Sequence, residues 1–316
     1  MKVIEHLNNR KSTLFSFEIL PPLKSKSINS IYESIEPLLE FDPKFINVTY
    51  HREEFVYKIK ESGYLEKVSI KRRPGNVGIC AAIVNKYKID AVPHLICGGF
   101  TRQETENALI DLQYLGIDNV LALRGDAIKT EINFKPREGG HSYAVDLVKQ
   151  INNINKGVLL EEELKENLPD FCVGVAGYPE KHIESPNLDT DIEYLKSKIE
   201  NGADYIVTQL FYDNNKFFEF VKKCKEAGIN VPIIPGLKPI YTFNQLTVIP
   251  RTFNIDIPKE LTDLITSAKS NEEIKQIGIE WAIKQSKELI KFGVPCIHFY
   301  TMGKSEAVSQ IAKSVY

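Results

Sequence analysis

The chain has 316 residues, 43% hydrophobic and 26% charged, with a formal net charge of −2. That balance is ordinary for a globular protein and gives no electrostatic case for a nucleic-acid or anionic-membrane partner. No apolar run approaches the roughly 18 residues of a membrane span, and the first fifteen residues lack the apolar core of a signal peptide.

Apolar, β-rich runs recur along the chain at 14–19, 45–50, 90–97, 119–124, 171–177, 204–210, 231–235 and 295–301. The first holds Glu18 and runs on into Pro21-Pro22, the second reaches Thr49, and the fourth ends in Arg124-Gly125-Asp126. The sixth ends at Gln209. Between them lie stretches of helical period. Ile28, Ile31, Ile35, Leu38 and Leu39 repeat at three and four in 27–40, as do Ala108, Leu109, Leu112 and Leu115 in 102–115. Leu188, Ile192, Leu195 and Ile199 mark one face of 188–201, and Phe217, Phe218, Val221 and Cys224 one face of 214–227. Gly116, Gly202, Gly228 and Gly293 follow the last periodic residues as helix stops.

Three segments depart from this alternation. Residues 51–89 are long and contain Lys71-Arg72-Arg73, whose role as an interface, an acidic-tail contact or a solvated loop is open. Residues 150–170 are polar and read as an extended surface insertion, and 242–290 hold extra helix. None has linker composition, so 1–316 reads as one domain. Cys80, Cys97, Cys172, Cys224 and Cys296 form no CxxC pair. They read as reduced thiols of a cytoplasmic protein, with no metal site expected.

Eight nearly unbroken apolar strands alternating with helices predict a parallel sheet covered by helices, and eight repeats favour a closed (β/α)8 TIM barrel over an open doubly wound sheet. Polar groups gathered at the carboxyl ends of barrel strands are how that fold builds an active site. No GxGxxG follows a strand, so a Rossmann site is not indicated. A cofactor-free aldolase-type barrel would want a lysine at the centre of a strand, and none of the eight runs supplies one.

Seven motifs occur in order. They are Ser16-Phe17-Glu18 with Pro21-Pro22, Asn47-Val48-Thr49-Tyr50, Pro93-His94-Leu95, Leu121 to Asp126, Ala176-Gly177-Tyr178-Pro179-Glu180, Thr208-Gln209-Leu210-Phe211 and His298-Phe299-Tyr300-Thr301. Together they resemble the methylenetetrahydrofolate reductase family, flavin-dependent barrel enzymes of one-carbon metabolism that feed methionine biosynthesis. The resemblance covers almost the whole chain and is to the catalytic domain only, without the regulatory domain of eukaryotic members.

The resemblance implies FAD as cofactor, NADH or NADPH as donor and a folate as substrate, used in turn at one site, in a homo-oligomer. It makes Glu18 the general acid, with a raised pKa. Thr49, Tyr50, His94, Arg124, Gly125, Asp126, Ser142, Tyr143 and Ala144 match flavin-contacting positions. Tyr178, His182, Ser185, Asp191 and Lys198 match the strip that holds the ribityl, pyrophosphate and adenosine parts. Asp126 and Gln209 would face folate, and Gln245, Tyr300 and Lys304 match further substrate positions. On composition alone, His94 reads equally as a satisfied core histidine, Arg124–Asp126 as a strand-end turn, Gln209 as a buried amide, and Asp191 and Lys198 as ordinary helix residues. Met302-Gly303-Lys304 stands where the family often carries Leu-Asn-Arg, which trades a bidentate fork for a point charge. His51-Arg52-Glu53-Glu54 is bulkier than the small residues usual after the second strand.

Overall fold

The computed structural model describes residues 1–127, 131 and 133–316. Helix α1 (Val3–Asn8) precedes strand β1 (Leu14–Ile19), and α2 (Asn29–Ile35) with a 3-10 turn (Glu36–Phe41) leads to β2 (Phe45–Val48). A hairpin of β3 (Glu54–Ile59) and β4 (Leu65–Ile70), then α3 (Asn76–Tyr87), leads to β5 (Asp90–Ile96). The chain continues through α4 (Arg102–Tyr114), β6 (Asn119–Leu123), α5 (Ala144–Asn155), β7 (Cys172–Gly177), α6 (Leu188–Glu200), β8 (Tyr205–Leu210), α7 (Asn214–Glu226) and β9 (Ile233–Leu237). Three helices, α8 (Gln245–Phe253), α9 (Lys259–Ser267) and α10 (Asn271–Phe292), precede β10 (Cys296–Tyr300) and the closing α11 (Ser305–Val315).

The strands β1, β10, β9, β8, β7, β6, β5 and β2 form a closed barrel in that order, every pair parallel, with β1 bonded to both β2 and β10. This is the expected (β/α)8 barrel with extra helices. Side chains alternate between two cores, as the period of two requires. Phe15, Phe17 and Ile19 face outward and pack beneath the helices with Ile46, Val48, Ile297 and Phe299. Inside the barrel Phe45, Val92, Leu121, Cys172, Tyr205, Val207, Ile234 and Cys296 form a second cluster, and Val3 and Leu7 of α1 plug it from the amino-terminal end. Asn119 Oδ1 accepts from the Val3 amide at 2.7 Å, and Asp90 accepts from the Met1 ammonium and meets His6 at 2.7 Å. Burial pushes the Asp90 carboxyl up, but the hydrogen bonds from His6 and the Met1 ammonium outweigh it and hold it below the usual range.

The glycine stops fall where expected. Gly116, Gly202, Gly228 and Gly293 all sit at positive φ just past their helices. The long 51–89 segment holds the β3–β4 hairpin and α3. Two readings need correction. The 150–170 segment is not all surface, because 150–155 are the last turns of α5, where Ile151 and Ile154 are buried against the sheet. The seventh barrel strand lies two residues later than its apolar run, at Ile233–Leu237, because Pro235 and Gly236 stay within it.

Candidate active site

Glu18 points into the barrel, since its neighbours Phe17 and Ile19 face the outer core. Its Cα partners across the sheet are Tyr300 on β10 and Asn47 on β2. It lies at the carboxyl-terminal end, on the floor of a cavity of about 1130 Å³ that opens over the barrel. Glu18 is 9% exposed. Burial raises its carboxyl pKa to about 8, against a smaller opposing pull from Lys238, so at neutral pH it holds a proton.

His94 Nε2 stands 3.9 Å from Glu18 Oε2, beyond hydrogen-bond reach, and is buried without a partner among the described residues. Burial, then repulsion from His51, lowers the His94 pKa to about 3, so the ring is neutral. A neutral acid therefore sits beside a neutral imidazole, with no ion pair to tie down its proton. Asn76, the first residue of α3, fixes this wall by donating to the carbonyls of His94 and Val48. Below Glu18, Ser16 Oγ meets His298 Nδ1 at 2.9 Å, and the His298 pKa is pulled to about 3, first by burial and then by His94. Ser16 and His298, the groups below the acid, thus carry no charge.

The opposite wall is a strip of polar groups from the loop after β7, from α6 and from the end of β6. Asp191 Oδ1 accepts from Ser185 Oγ at 2.8 Å and Oδ2 from the His182 amide at 3.1 Å. The Tyr178 and His182 rings meet edge to face at 4.8 Å. Lys198, one helical face along from Asp191, donates to the Ala176 carbonyl at 2.8 Å. Burial lowers its pKa to about 8 against the pull of Asp191. Arg124 forms a two-pronged pair with Glu184 and lies 4.8 Å over the Phe134 ring. Gly125 follows at φ +84°, a conformation that favours glycine whatever lies nearby.

The family described as methylenetetrahydrofolate reductase matches residues 2–316. The chain belongs to the methylenetetrahydrofolate reductase family.

The 5,10-methylenetetrahydrofolate reductase of Buchnera aphidicola is 32% identical over 314 residues, covering 99% of this chain and 92% of that one. The methylenetetrahydrofolate reductase 1 of Schizosaccharomyces pombe is 31% identical over 308 residues, covering 97% of this chain and 46% of that one. The chain thus spans about half the length of the fungal and plant relatives it matches. A solved structure of a Clostridium thermocellum protein, described as binding two copies of 5-methyl-5,6,7,8-tetrahydrofolic acid, superposes with a TM-score of 0.60 over 98% of this chain and 97% of that one. At 17% identity that likeness speaks for the fold alone.

Against the positions implied by the methylenetetrahydrofolate reductase family, the fold gathers most of the expected residues at the mouth. Glu18, Thr49, Tyr50, His94, Arg124, Gly125, Asp126, Tyr143, Ala144, Tyr178, His182, Ser185, Asp191, Lys198, Gln209 and Tyr300 all line the cavity. Ser142, Gln245 and Lys304 are not among its lining residues. Gln245 Oε1 is engaged elsewhere, accepting from the Tyr241 and Thr242 amides of the loop before α8. Lys304 lies 5.7 Å from the Tyr241 ring.

Sequence reasoning missed Lys238, a cavity cation one residue past β9. The same strand-end rule would have found it, had that strand been placed two residues later. The partner of Arg52, from the bulky loop after the second strand, was missed as well. Arg52 lines the cavity and forms a part-buried bidentate pair with Glu131 at 3.0 and 3.1 Å, joining residues 79 apart that no local pattern links. Arg72 and Arg73 also line the cavity. Arg72 pairs with Glu54, and Arg73 donates to the Pro21 carbonyl, so the basic run is part of the mouth.

Proposed function

We propose that this chain is an FAD-dependent, cytoplasmic oxidoreductase that reduces 5,10-methylenetetrahydrofolate to 5-methyltetrahydrofolate, with NADH or NADPH as donor. The observation that carries this reading is Glu18, a carboxyl that keeps its proton at neutral pH at the closed end of a large cavity. A general acid works best when its pKa lies near the operating pH. Glu18 would donate that proton to nitrogen 10 of the bridged folate, opening the five-membered ring so that the methylene carbon can accept hydride.

The mouth has the size and polarity for the cofactor as well. Its volume of about 1130 Å³ exceeds the roughly 300–1,000 Å³ of a pocket for one drug-sized ligand. Thr49 Oγ1 and His94 Nε2 are buried polar atoms without partners among the described residues, as groups that await a ligand would be. Bound across the mouth, FAD would supply the relay that passes hydride from the nicotinamide to the folate. Lys198 and Arg124 would hold its phosphates, Asp191 and Ser185 a ribose hydroxyl, and Gly125 would leave the ring system room. Gln209 and Asp126 would orient the pterin. One cavity that serves both substrates in turn gives ping-pong kinetics.

The test is the visible spectrum of the purified protein, followed by anaerobic NADH or NADPH and then methylenetetrahydrofolate. A flavin spectrum that bleaches with the donor and recovers with the folate establishes both half-reactions. A colourless protein that takes up no added FAD overturns the reading.

A further inference from the structure

Among the described residues, the β3–β4 hairpin pairs with no other strand. A two-stranded sheet is marginal alone in water, yet this one carries uncovered apolar side chains. Tyr57 is 66% exposed, Ile59 77%, Tyr64 77% and Leu65 66%. Phe55, Tyr57 and Ile59 share one face, and Leu65, opposite Ile59, extends it. The Lys60 amide donates to the Tyr64 carbonyl, and the Gly63 amide to the Lys60 carbonyl. These bonds close the hairpin and fix its phase. Even-numbered residues of β3 turn their backbone groups toward β4, and odd-numbered residues turn theirs outward. Phe55, Tyr57 and Ile59 therefore present an unpaired row of N–H and C=O groups.

We propose that this edge docks a second copy of the chain, β3 pairing antiparallel with its own mate about a twofold axis at Val56. Charge complementarity selects both occupant and register. With the axis at Val56, Glu54 faces Lys58 of the second copy twice over, and Phe55 faces Tyr57 twice over. The Phe55–Tyr57 pairs are then the hydrogen-bonded ones, as the outward phase of the odd residues demands. Moving the axis to Tyr57 sets Val56 against Lys58. Moving it to Lys58 sets two lysines against each other. Among the described residues Lys58 has no ion partner in its own chain, and Glu54 shares only Arg72. The product is a four-stranded sheet in which cross-strand aromatic and ion pairs replace exposed side chains.

The native cysteines are all buried, so a new surface thiol reports cleanly. V56C places two thiols at a non-hydrogen-bonded pair on the axis, with Cα atoms ~4.5 Å apart, inside disulfide range. K58C places them ~13 Å apart, at ~3.3 Å per residue. Under mild oxidation V56C is expected to give a covalent dimer on a non-reducing gel and K58C none. By sedimentation of the full chain, K58E is expected to weaken self-association and E54K/K58E to restore it. Y57P, which removes an outward amide and leaves the β3–β4 ladder intact, is expected to abolish it. The proposal is overturned if V56C cross-links no better than K58C, if the unsubstituted chain is monomeric at its highest soluble concentration, or if the charge swap restores nothing.

Discussion

Glu18 is the acid of the proposed reaction, and its burial has two measurable consequences. The first is kinetic. Glu18→Gln is expected to lower folate reduction by ~10²–10⁴-fold, the usual worth of a positioned acid, while leaving reduction of bound flavin by the nicotinamide in place. Stopped-flow absorbance separates the two half-reactions. In the unsubstituted chain the folate step is expected to be flat below about pH 8 and to fall above it, as the acid loses its proton. The second is thermodynamic. The folded pKa lies above the ordinary carboxyl value of about 4.5, so the folded state binds more protons than the unfolded one between about 4.5 and 8, and stability falls as pH rises through that window. Glu18→Gln removes the effect, so its melting temperature should rise relative to the unsubstituted chain as pH goes from 5 to 8. On the other wall, Lys198→Met is expected to weaken flavin binding roughly ten- to hundred-fold, the ~1.5–3 kcal/mol of one hydrogen bond to a charged group. Flavin fluorescence titration reads this directly. Glu18, Asp126 and Gln209 were legible in the chain because each is a polar residue in or just after an apolar strand. Lys238 was not, because Pro235 and Gly236 break the pattern that marks where its strand ends.

At the scale of elements, the barrel interior is fitted strand against strand. Tyr300 on β10 donates to the Thr208 carbonyl on β8 at 2.6 Å, across the intervening β9. It can do so only because Gly236 lies between them. A Cβ there would stand 2.3 Å from the Thr208 carbonyl oxygen and 2.5 Å from the Tyr300 ring. Gly236→Ala is therefore expected to cost ~1–3 kcal/mol, the range for overpacking a filled interior, and to displace Tyr300 from the cavity wall. Urea unfolding gives the first, and a raised KM for folate the second. Helix periods and glycine stops announced α4, α6 and α7, since each needs only a local apolar stripe and a residue that tolerates positive φ. The β3–β4 hairpin was not announced, because its strands lack the unbroken apolar character of the barrel strands and five of their twelve side chains are charged or polar.

At the scale of the whole molecule, the extra helices lock the carboxyl-terminal third of the chain to the barrel. The single tryptophan, Trp281 on α10, donates to the Tyr212 carbonyl at 3.0 Å. Gly278 lets the same helix press onto the Ile240 backbone, where a Cβ would lie 2.0 Å from the carbonyl oxygen. Trp281 fluorescence thus reports on this docking. Flavin at 100 times its dissociation constant is expected to stabilise the fold by about 2.7 kcal/mol, seen as a shift of the Trp281 unfolding curve to higher denaturant. A curve that FAD leaves in place would count against a site built into the folded mouth.

The barrel class and the place of Glu18 at its mouth were determined by the sequence alone, because each rests on local signals. A period of two, a period of 3.6 and a polar residue at a strand end are all read over a few neighbours. The tertiary structure alone decided which polar groups share the cavity and in what protonation state. Arg52 meets Glu131, Arg124 meets Glu184 and Glu18 is stripped of water only once distant segments close over the mouth. Charge pairing and desolvation depend on distances through space, which the order of residues along a chain does not carry.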